Sequence, residues 1–323
     1  MKKNRKALIF GVTGQDGAYL ADFLCKKKYQ VYGTSRNLKK ANLKNLFFLN
    51  VQNKVKLYKS SLNNFKQINN LIKALEPDEI YNLSGQSSVH NSFSHPFETY
   101  NSNTFPVISI LESIKKLKLK TKFYNASSGE IYGNSKSIVN EKTQHQPISP
   151  YGLSKSLSMK IISSYRSTSE IFACSGIAFN HESILRKETF VTKKIICGAK
   201  QISINKKNSI LKLGNIEVFR DWGWAPEYVE AMWLLLQKDL PHDIILATGK
   251  TISLKYFLKE VFSMFKLDWK EFVQFDSELK RPSELYKIKT NPTKASEILG
   301  WKAKFHSKKL IDKLVEEELK IKC

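Results

Sequence analysis

The fold is decided by the stretch KALIFGVTGQDG at residues 6–17, in which a short apolar run is followed by glycines at positions 11, 14 and 17. The apolar run predicts a buried strand over residues 6–10, and the apolar spacing in residues 18–28 predicts a helix after the glycines. Glycines between a strand and a helix permit a tight turn and let the backbone approach a pyrophosphate, which the helix N-terminus attracts. The stretch therefore predicts a dinucleotide-binding turn.

Strands and helices continue to alternate through the first half of the chain. The further predicted strands lie at 30–34, 55–58, 79–83, 122–125 and 172–177. The further predicted helices lie at 64–75, 103–117 and 150–167. Strands separated by helices of this length indicate an α/β fold with a doubly wound parallel sheet of the Rossmann type. We expect this domain to occupy residues 1–178 with a return near 216–248, and residues 179–323 to form mainly a smaller C-terminal α/β substrate-binding domain.

The composition indicates a globular chain with a strong positive charge. The 323 residues carry a net charge of +24, but the lysines are spread along the chain without interleaved aromatic residues, so we predict no nucleic-acid partner. A basic surface also attracts phosphorylated small molecules. No apolar run approaches the roughly 18 residues of a membrane span, and the apolar run near the N-terminus is too short for a signal peptide. We therefore expect a cytoplasmic protein without a membrane partner, and the scattered cysteines predict no metal site.

Two motifs carry the chemistry, ASSGEIYG at residues 126–133 and YGLSK at residues 151–155. On a helix, Lys155 lies one turn after Tyr151 on the same face. Its charge, with that of an oxidised nicotinamide, would lower the pKa of the phenol from its ordinary value of about 10. Tyr151 would then take a proton from a substrate hydroxyl, and Ser128 can hydrogen-bond to the same oxygen. The two motifs together predict hydride chemistry on a sugar.

Glu130 narrows the reaction further. Simple reductases and 4-epimerases need only the serine, the tyrosine and the lysine. A carboxylate two residues after Ser128 supplies a base for the proton at C5, which becomes acidic once C4 is a ketone. The complete set therefore favours a 4,6-dehydratase.

The end of the second predicted strand indicates which cofactor binds. An acidic residue there would bind the ribose 2′-hydroxyl and favour NAD. The sequence instead reads TSRNLKK at residues 34–40. Arg36 can pair with a 2′-phosphate, and Lys39 or Lys40 can assist. We therefore predict NADP as the cofactor.

The chain resembles the GDP-mannose 4,6-dehydratases, which are extended short-chain dehydrogenases/reductases, over essentially its whole length. The stretches that carry the resemblance include GVTGQDGAYLADFL (11–24), FYNASSGEIYG (123–133), GIAFNHES (176–183), LGNIEVFRDWGWAPEYV (213–229) and NPTKASEILGW (291–301). The GVTGQDG, FNHES, RDWG and NPTKA elements together are specific to this subgroup.

The resemblance implies three sets of site residues. The catalytic residues would be Ser128, Glu130, Tyr151 and Lys155. The cofactor site would consist of Gly11, Thr13, Gly14, Gln15, Asp16, Gly17, Arg36, Ser61, Leu62, Leu83, Ser84, Gln86, Ser87, Tyr151, Lys155, His181 and Arg186. The GDP-sugar site would consist of Ser88, Asn180, Val191, Lys194, Arg220, Arg281 and Glu284.

The sequence departs from the family's pattern at several positions. Ser61 replaces an acidic residue that contacts adenine, and Trp224 and Leu185 replace a usual histidine and arginine. Gly129 stands where the dTDP-sugar dehydratases have aspartate and the GDP-mannose enzymes usually have serine, so Glu130 would both take the C5 proton and protonate the leaving hydroxyl. The loop after the second strand lacks the Arg-Arg-Ser-Ser pattern that helps to build a tetramer. A homodimer and a homotetramer are therefore equally expected.

These observations predict an NADP-dependent GDP-sugar 4,6-dehydratase with GDP-mannose as the first choice of substrate. Hydride would pass from C4 of the sugar to NADP and return to C6 after loss of water, giving a 4-keto-6-deoxy sugar. GDP-heptose and GDP-N-acetylhexosamine are alternative substrates of the same reaction. A GDP-sugar epimerase or reductase is the competing enzyme. An NADP-sensing regulator is the competing non-enzyme, which the complete Ser-Glu-Tyr-Lys set disfavours.

Overall fold

The computed structural model describes residues 4–39, 41–205, 209–279 and 282–320. Its strands are β1 Lys6–Phe10, β2 Gln30–Ser35, β3 Val55–Lys59, β4 Glu79–Asn82, β5 Lys122–Ser128, β6 Ile138–Val139, β7 Ala173–Ala178, β8 Asn180–Glu182, β9 Leu211–Leu213, β10 Phe219–Trp224, β11 Ile244–Leu246, β12 Thr251–Ser253, β13 Val273–Phe275 and β14 Lys289–Thr290. Its α-helices are α1 Gln15–Lys26, α2 Lys44–Phe48, α3 Phe65–Leu75, α4 Val89–Ser94, α5 Pro96–Lys116, α6 Pro150–Ser169, α7 Val191–Asn205, α8 Ala225–Leu236, α9 Leu254–Met264, α10 Trp269–Phe272, α11 Thr293–Leu299 and α12 Ser307–Lys320.

A parallel sheet forms the centre of the molecule, with seven strands in the order β11-β7-β5-β4-β1-β2-β3. In its register, Ala7 of β1 pairs with Val31 of β2 and with Glu79 of β4, and Ser128 at the end of β5 pairs with Ala178 of β7. Parallel neighbours need crossover connections, and the helices that supply them cover both faces of the sheet. The doubly wound Rossmann sheet predicted from the sequence is confirmed.

Strand β1 shows why the sheet is buried on both sides. Ala7 and Ile9 belong to the apolar core beneath α1 and α8, whereas Leu8 and Phe10 belong to the core beneath α3 and α5. All four side chains are fully buried. Because successive side chains of a strand point to opposite faces, the continuous apolar run places β1 in the middle of a covered sheet.

The second half of the chain builds smaller units and also completes the large sheet. Strand β10 pairs parallel with β8 and antiparallel with β12, and the pairs β13-β9 and β14-β6 form separate ribbons. A further apolar core joins α7, α9 and α12, where Trp222 lies 5.6 Å from the ring of Phe257. Strand β11 returns to the large sheet as the outermost neighbour of β7. Within the described part of the chain, none of the helices combines the length and the apolar character that crossing a membrane requires.

Two helices of the first half differ from their predicted bounds. Helix α1 begins at Gln15 instead of residue 18, because Gly17 lies inside the helix with its α-carbon against the backbone of Gly11. Helix α5 begins at Pro96 instead of residue 103. Its polar first half is helical instead of forming a loop, and one side of it is buried at Thr99, Asn103 and Thr104; Asn103 donates a hydrogen bond to Ser154 of α6 at 3.0 Å. The other predicted elements are confirmed with small shifts at their ends.

Candidate active site

The glycine turn between β1 and α1 is shaped for close contact with another group. Gly11 has a φ of +85°, and a Cβ atom there would lie 2.7 Å from the carbonyl oxygen of Leu83. At Gly17 a Cβ atom would lie 2.2 Å from the oxygen of Gly11, so a side chain fits at neither position. Gly14, which precedes α1, offers no side-chain cap to the helix. The first N–H groups of α1 are therefore available to a phosphate group.

Gln15 and Asp16 join the glycine turn to β8. Nε2 of Gln15 donates to the carbonyl oxygen of His181 at 3.2 Å, and its Oε1 accepts from the hydroxyl of Ser183 at 2.8 Å. The ring of His181 places Nε2 2.9 Å from Oδ2 of Asp16 and Nδ1 2.7 Å from the oxygen of Phe179. Both ring nitrogens face acceptors, so the imidazolium form satisfies both contacts. Burial opposes both charges, but the pair lowers the pKa of Asp16 to about 2 and raises the pKa of His181 above its ordinary value.

Three expected cofactor residues follow strands β2 and β3. Arg36 lies directly after β2 and is exposed. Ser61 and Leu62 follow β3, and the N–H of Ser61 donates to the side-chain oxygen of Gln67 at 2.9 Å. In the glycine turn, the carbonyl oxygen of Thr13 accepts from the side chain of Asn45 in α2 at 3.0 Å. The carboxyl ends of parallel strands share one edge of a sheet, so these loops lie on the same side as the glycine turn.

The loop after β4 contains the remaining expected cofactor residues, Leu83, Ser84, Gln86 and Ser87. The backbone N–H of Gln86 donates to the hydroxyl of Ser102 in α5 at 3.1 Å, and its side chain donates to the carbonyl oxygen of Ser88 at 2.7 Å. Ser88, expected in the sugar-nucleotide site, caps α4 by accepting from the N–H of Asn91 at 3.2 Å. These contacts hold the loop beside the carboxyl end of β4.

Strand β5 and helix α6 bring the four expected catalytic residues together. Ser128 ends β5, Glu130 lies in a short 3-10 helix at Gly129–Tyr132, and Tyr151 and Lys155 begin α6. The hydroxyl of Ser128 accepts from the N–H of Glu130 at 3.3 Å and also hydrogen-bonds with the Tyr151 side chain. Nζ of Lys155 lies 5.7 Å from the centre of the Tyr151 ring and donates to the carbonyl oxygen of Ala126 at 2.9 Å.

Burial is the largest influence on the pKa values of Tyr151 and Lys155. It raises the pKa of Tyr151 to about 12; the Ser128 hydrogen bond and the charge of Arg186 act against the rise, and the charge of Glu130 adds to it. Burial also lowers the pKa of Lys155 to about 8. The charge of Lys155, with that of the nicotinamide, was expected to lower the pKa of the Tyr151 phenol. In the protein alone that pKa is raised, because the loss of hydration outweighs the nearby charges.

An open cavity adjoins Ser128 and Glu130, two of the expected catalytic residues. Its walls include Glu130, Asn180 at the start of β8, and Arg220 in β10. The buried guanidinium of Arg220 donates to the carbonyl oxygen of Leu285 at 2.6 Å and lies 3.4 Å from the carboxylate of Glu284. A carboxylate, an amide and a guanidinium thus surround one volume, a set of groups that suits a phosphorylated sugar.

Two other expected sugar-nucleotide residues do not line this cavity. Val191 and Lys194 belong to the first turn of α7, and neither is among the residues that line the cavity. Arg281 lies outside the described residues. Across the ranges that the structure describes, no group of three or more His, Cys, Asp or Glu side chains is placed to hold a metal ion.

Two residues that line the cavity, Phe179 and Asp221, were given no role from the sequence. A Cβ atom at Gly129 would lie 2.9 Å from the ring of Phe179, so this ring occupies the space that a side chain at position 129 would need. Asp221 is buried beside Arg220, and burial raises its pKa to about 6 although Oδ1 accepts from the N–H and the hydroxyl of Thr248. The RDWG motif pointed to this region of the chain, but it gave Asp221 no role.

Solved structures of nucleotide-sugar enzymes share this architecture. The structure of UDP-glucose 4-epimerase from Thermus thermophilus with NAD superposes with a TM-score of 0.86 at 20% identity, covering 98% of this chain and 100% of that one. The structure of dTDP-glucose 4,6-dehydratase from Bacillus anthracis with NAD gives a TM-score of 0.84 at 18% identity, covering 98% and 97%. At these identities the comparison establishes the fold.

Sequence comparison establishes the family. The family model for GDP-mannose 4,6 dehydratase matches residues 8–314. GDP-mannose 4,6 dehydratase 1 of Arabidopsis thaliana is 37% identical, covering 99% of this chain and 91% of the relative. GDP-mannose 4,6-dehydratase of Sinorhizobium fredii is also 37% identical, with 99% and 98% covered, and that of Vibrio cholerae is 35% identical, with 99% and 95% covered. With its whole length matched in this way, the chain belongs to the GDP-mannose 4,6-dehydratase family of hydro-lyases.

Proposed function

We propose that this enzyme is an NADP-dependent dehydratase that converts GDP-mannose into GDP-4-keto-6-deoxymannose and water. The observation that carries the proposal is that Ser128 and Glu130, which line the cavity together with Arg220, lie beside Tyr151 and Lys155 at the start of α6. Oxidation at C4 needs the serine, the tyrosine and the lysine, and the added carboxylate is what elimination across C5 and C6 needs. The names of the relatives support the same substrate.

The residues around the glycine turn fit a dinucleotide. Side chains at Gly11 and Gly17 would collide with backbone atoms, and the uncapped start of α1 suits a pyrophosphate. Arg36 follows β2 in a loop without an acidic residue, which favours a cofactor with a 2′-phosphate. When bound, NADP would supply the hydride acceptor at C4 and the hydride donor at C6.

The side chains divide the proton transfers between them. Tyr151 takes the proton of the 4-hydroxyl, and Ser128 hydrogen-bonds to the same oxygen. The pKa of Tyr151 is about 12 in the protein, so the positive charges of Lys155 and Arg186 are needed to stabilise the phenolate that forms. Glu130 takes the proton from C5 and delivers it to the leaving 6-hydroxyl, which departs as water.

Incubation with NADP and a panel of GDP-sugars, followed by mass spectrometry, tests the reaction. GDP-mannose should lose the mass of one water without net consumption of NADP. Product from GDP-heptose or GDP-N-acetylhexosamine alone would keep the reaction but replace the substrate. An isomer of unchanged mass would indicate an epimerase, and stoichiometric consumption of added NADPH would indicate a reductase. Binding of NADP without turnover of any sugar would support the regulator.

The choice of NADP is tested at Arg36. Replacing Arg36 by alanine should weaken NADP binding by roughly 1.5–3 kcal/mol, the worth of a hydrogen bond to a charged group, and leave NAD binding almost unchanged. Titration calorimetry with both cofactors measures the difference. The matched control is Lys44→Ala, which removes an exposed charge from the neighbouring helix α2. Equal losses for NADP and NAD would show that Arg36 does not contact the 2′-phosphate.

A further inference from the structure

Glu182 is a buried carboxylate that the proposed chemistry does not use. It ends β8, directly after His181, and is 2% exposed. Its Oε2 accepts a hydrogen bond from the hydroxyl of Thr192 in α7 at 2.9 Å, and the same oxygen lies 3.1 Å from Nε of Arg186. One carboxylate oxygen therefore joins an arginine expected in the cofactor site to the helix that carries two expected sugar-nucleotide residues.

Arg186 lies close enough to the reaction centre for its charge to influence the pKa values of residues there. Its charge lowers the pKa of Tyr151 and of Asp16, although in each case burial has the larger influence and acts in the opposite direction. Its guanidinium lies 3.7 Å from the centre of the Phe190 ring. The carbonyl oxygen of Phe190 accepts from the N–H of Lys194 at 2.9 Å. Arg186 is thus attached to the first turn of α7 both through Glu182 and through Phe190.

The segment between β8 and α7 is held at both ends. On the cofactor side, the hydroxyl of Ser183 donates to Gln15 of the glycine turn at 2.8 Å. On the other side, Nζ of Lys193 in α7 donates to the carbonyl oxygen of Ile184 at 3.0 Å. Hydrogen bonds and the covalent chain between Ser183 and Ile184 therefore connect the start of α1 to the first turn of α7.

We propose that Glu182 is a positioning residue that couples cofactor binding to sugar-nucleotide binding. The proposal rests on the proposed function, because it takes the ligands to be NADP and a GDP-sugar. A bound anionic cofactor fixes the position of the Arg186 guanidinium. Because Oε2 of Glu182 contacts both Arg186 and Thr192, the position of Thr192 is then fixed as well. The GDP group then meets a first turn of α7 that is already ordered, so it loses less conformational entropy on binding.

Calorimetric titration with GDP, in the absence and presence of saturating NADP, measures the coupling. In the wild-type protein NADP should tighten GDP binding by about 5-fold or more, the lower end of ordinary coupling between sites. Glu182→Gln keeps an acceptor for Thr192 but removes the charge that holds Arg186, so the affinity for GDP should become independent of NADP. Thr192→Val removes the other contact of the same oxygen and should have the same effect. If Glu182→Gln does not fold, Thr192→Val still tests the proposal.

The matched control is Glu318→Gln. Glu318 of α12 is also a buried carboxylate, and its ion-pair partner is Lys193 of α7, whereas that of Glu182 is Arg186. This variant should lower the thermal stability and retain the coupling. The proposal is overturned if NADP leaves GDP affinity unchanged in the wild type, if either Glu182→Gln or Thr192→Val keeps the wild-type coupling, or if Glu318→Gln abolishes it equally. Failure of the proposed reaction is seen separately, as no dehydrated product from GDP-mannose although both nucleotides bind.

Discussion

At the scale of the residue, Glu130 has no acidic or hydroxyl side chain at position 129 that could share the proton transfers. Position 129 is a glycine, and the ring of Phe179 occupies the space that a side chain there would need. Glu130→Gln keeps the shape of the side chain and removes the base. Oxidation at C4 should therefore survive while elimination slows by about 10²–10⁴, so bound NADPH should accumulate. The absorbance of reduced nicotinamide and the mass of the sugar product measure the two steps. Glu217→Gln, which alters an exposed carboxylate, is the control. Full activity of Glu130→Gln would refute the assigned role.

Lys155 makes a second prediction at this scale, about stability and pH. Burial lowers its pKa to about 8 from an ordinary value of 10.5, so between these values the folded protein binds fewer protons than the unfolded chain. The buried charge therefore costs stability fully below about pH 8, and the cost disappears as the pH rises to 10.5. Lys155→Met should abolish activity yet raise the free energy of unfolding near neutral pH by roughly 1–2 kcal/mol, after allowance for its lost hydrogen bond.

Urea unfolding of Lys155→Met and of the wild type at several pH values tests this. The difference in free energy should shrink as the pH rises above about 8, the folded-state pKa of the lysine. A variant that is less stable at every pH would show that the hydrogen bond to Ala126 outweighs the cost of burying the charge.

At the scale of the element, the glycines of helices α1 and α7 differ in what a side chain would meet. In α1, a Cβ atom at Gly17 would collide with backbone, whereas in α7 a Cβ atom at Gly198 would lie 2.9 Å from a methyl group of Leu211, which can move. Alanine in a helix is otherwise favoured over glycine by roughly 0.5–1 kcal/mol. Gly17→Ala should therefore lower the free energy of unfolding by about 1–3 kcal/mol and weaken NADP binding. Gly198→Ala should stay within about 1 kcal/mol of the wild type.

Denaturant unfolding and NADP titration of both variants measure these effects. Equal stability of Gly17→Ala and the wild type would mean that the start of α1 shifts freely to admit a side chain.

The elements also show what the sequence could and could not predict. In the first half, apolar strands alternate with helices long enough to show their periodicity, so the sheet and most element bounds follow from the pattern. In the second half, β8 and β11 have three residues each, too few for a period to appear. The predicted start of α5 at residue 103 was wrong, because residues 96–102 are mostly polar and show no apolar period, although Thr99 is buried.

The candidate site divides in the same way. Ser128 with Glu130, and Tyr151 with Lys155, are close in sequence, so local spacing alone placed the members of each pair together. Asp16 and His181 are 165 positions apart, and their contact exists only because the fold brings α1 to β8. Such contacts depend on tertiary packing and leave no local pattern in the sequence.

At the scale of the whole molecule, α5 and α6 pack against each other and expose apolar side chains to solvent. Phe105 and Ile108 of α5 are 36% and 39% exposed, and Leu153 and Leu157 of α6 are 48% and 44% exposed. Neighbouring exposed apolar side chains of this size are typical of a surface between subunits. We propose that the chain forms a homodimer or a homotetramer and that these helices contribute to its interface.

Light scattering should give a mass of two or four chains for the wild type and a smaller mass for Leu157→Glu, because a charge at the interface would be buried without a partner. Leu240→Glu, at an apolar residue that is 68% exposed elsewhere on the surface, is the control and should keep the wild-type mass. A monomeric wild type would contradict the assembly.

The position of β11 has a consequence for the order in which the protein is made. A ribosome releases the chain from its N-terminus, so β7 emerges long before the strand that covers its outer edge in the large sheet. Until residues 244–246 follow, the nascent chain presents the hydrogen-bonding edge of β7, whose six residues are all buried in the finished protein. An open apolar edge can pair with other chains, so the nascent chain is exposed to aggregation during this interval of synthesis. The sheet that begins the chain is thus completed only after the residues between β7 and β11 have been translated.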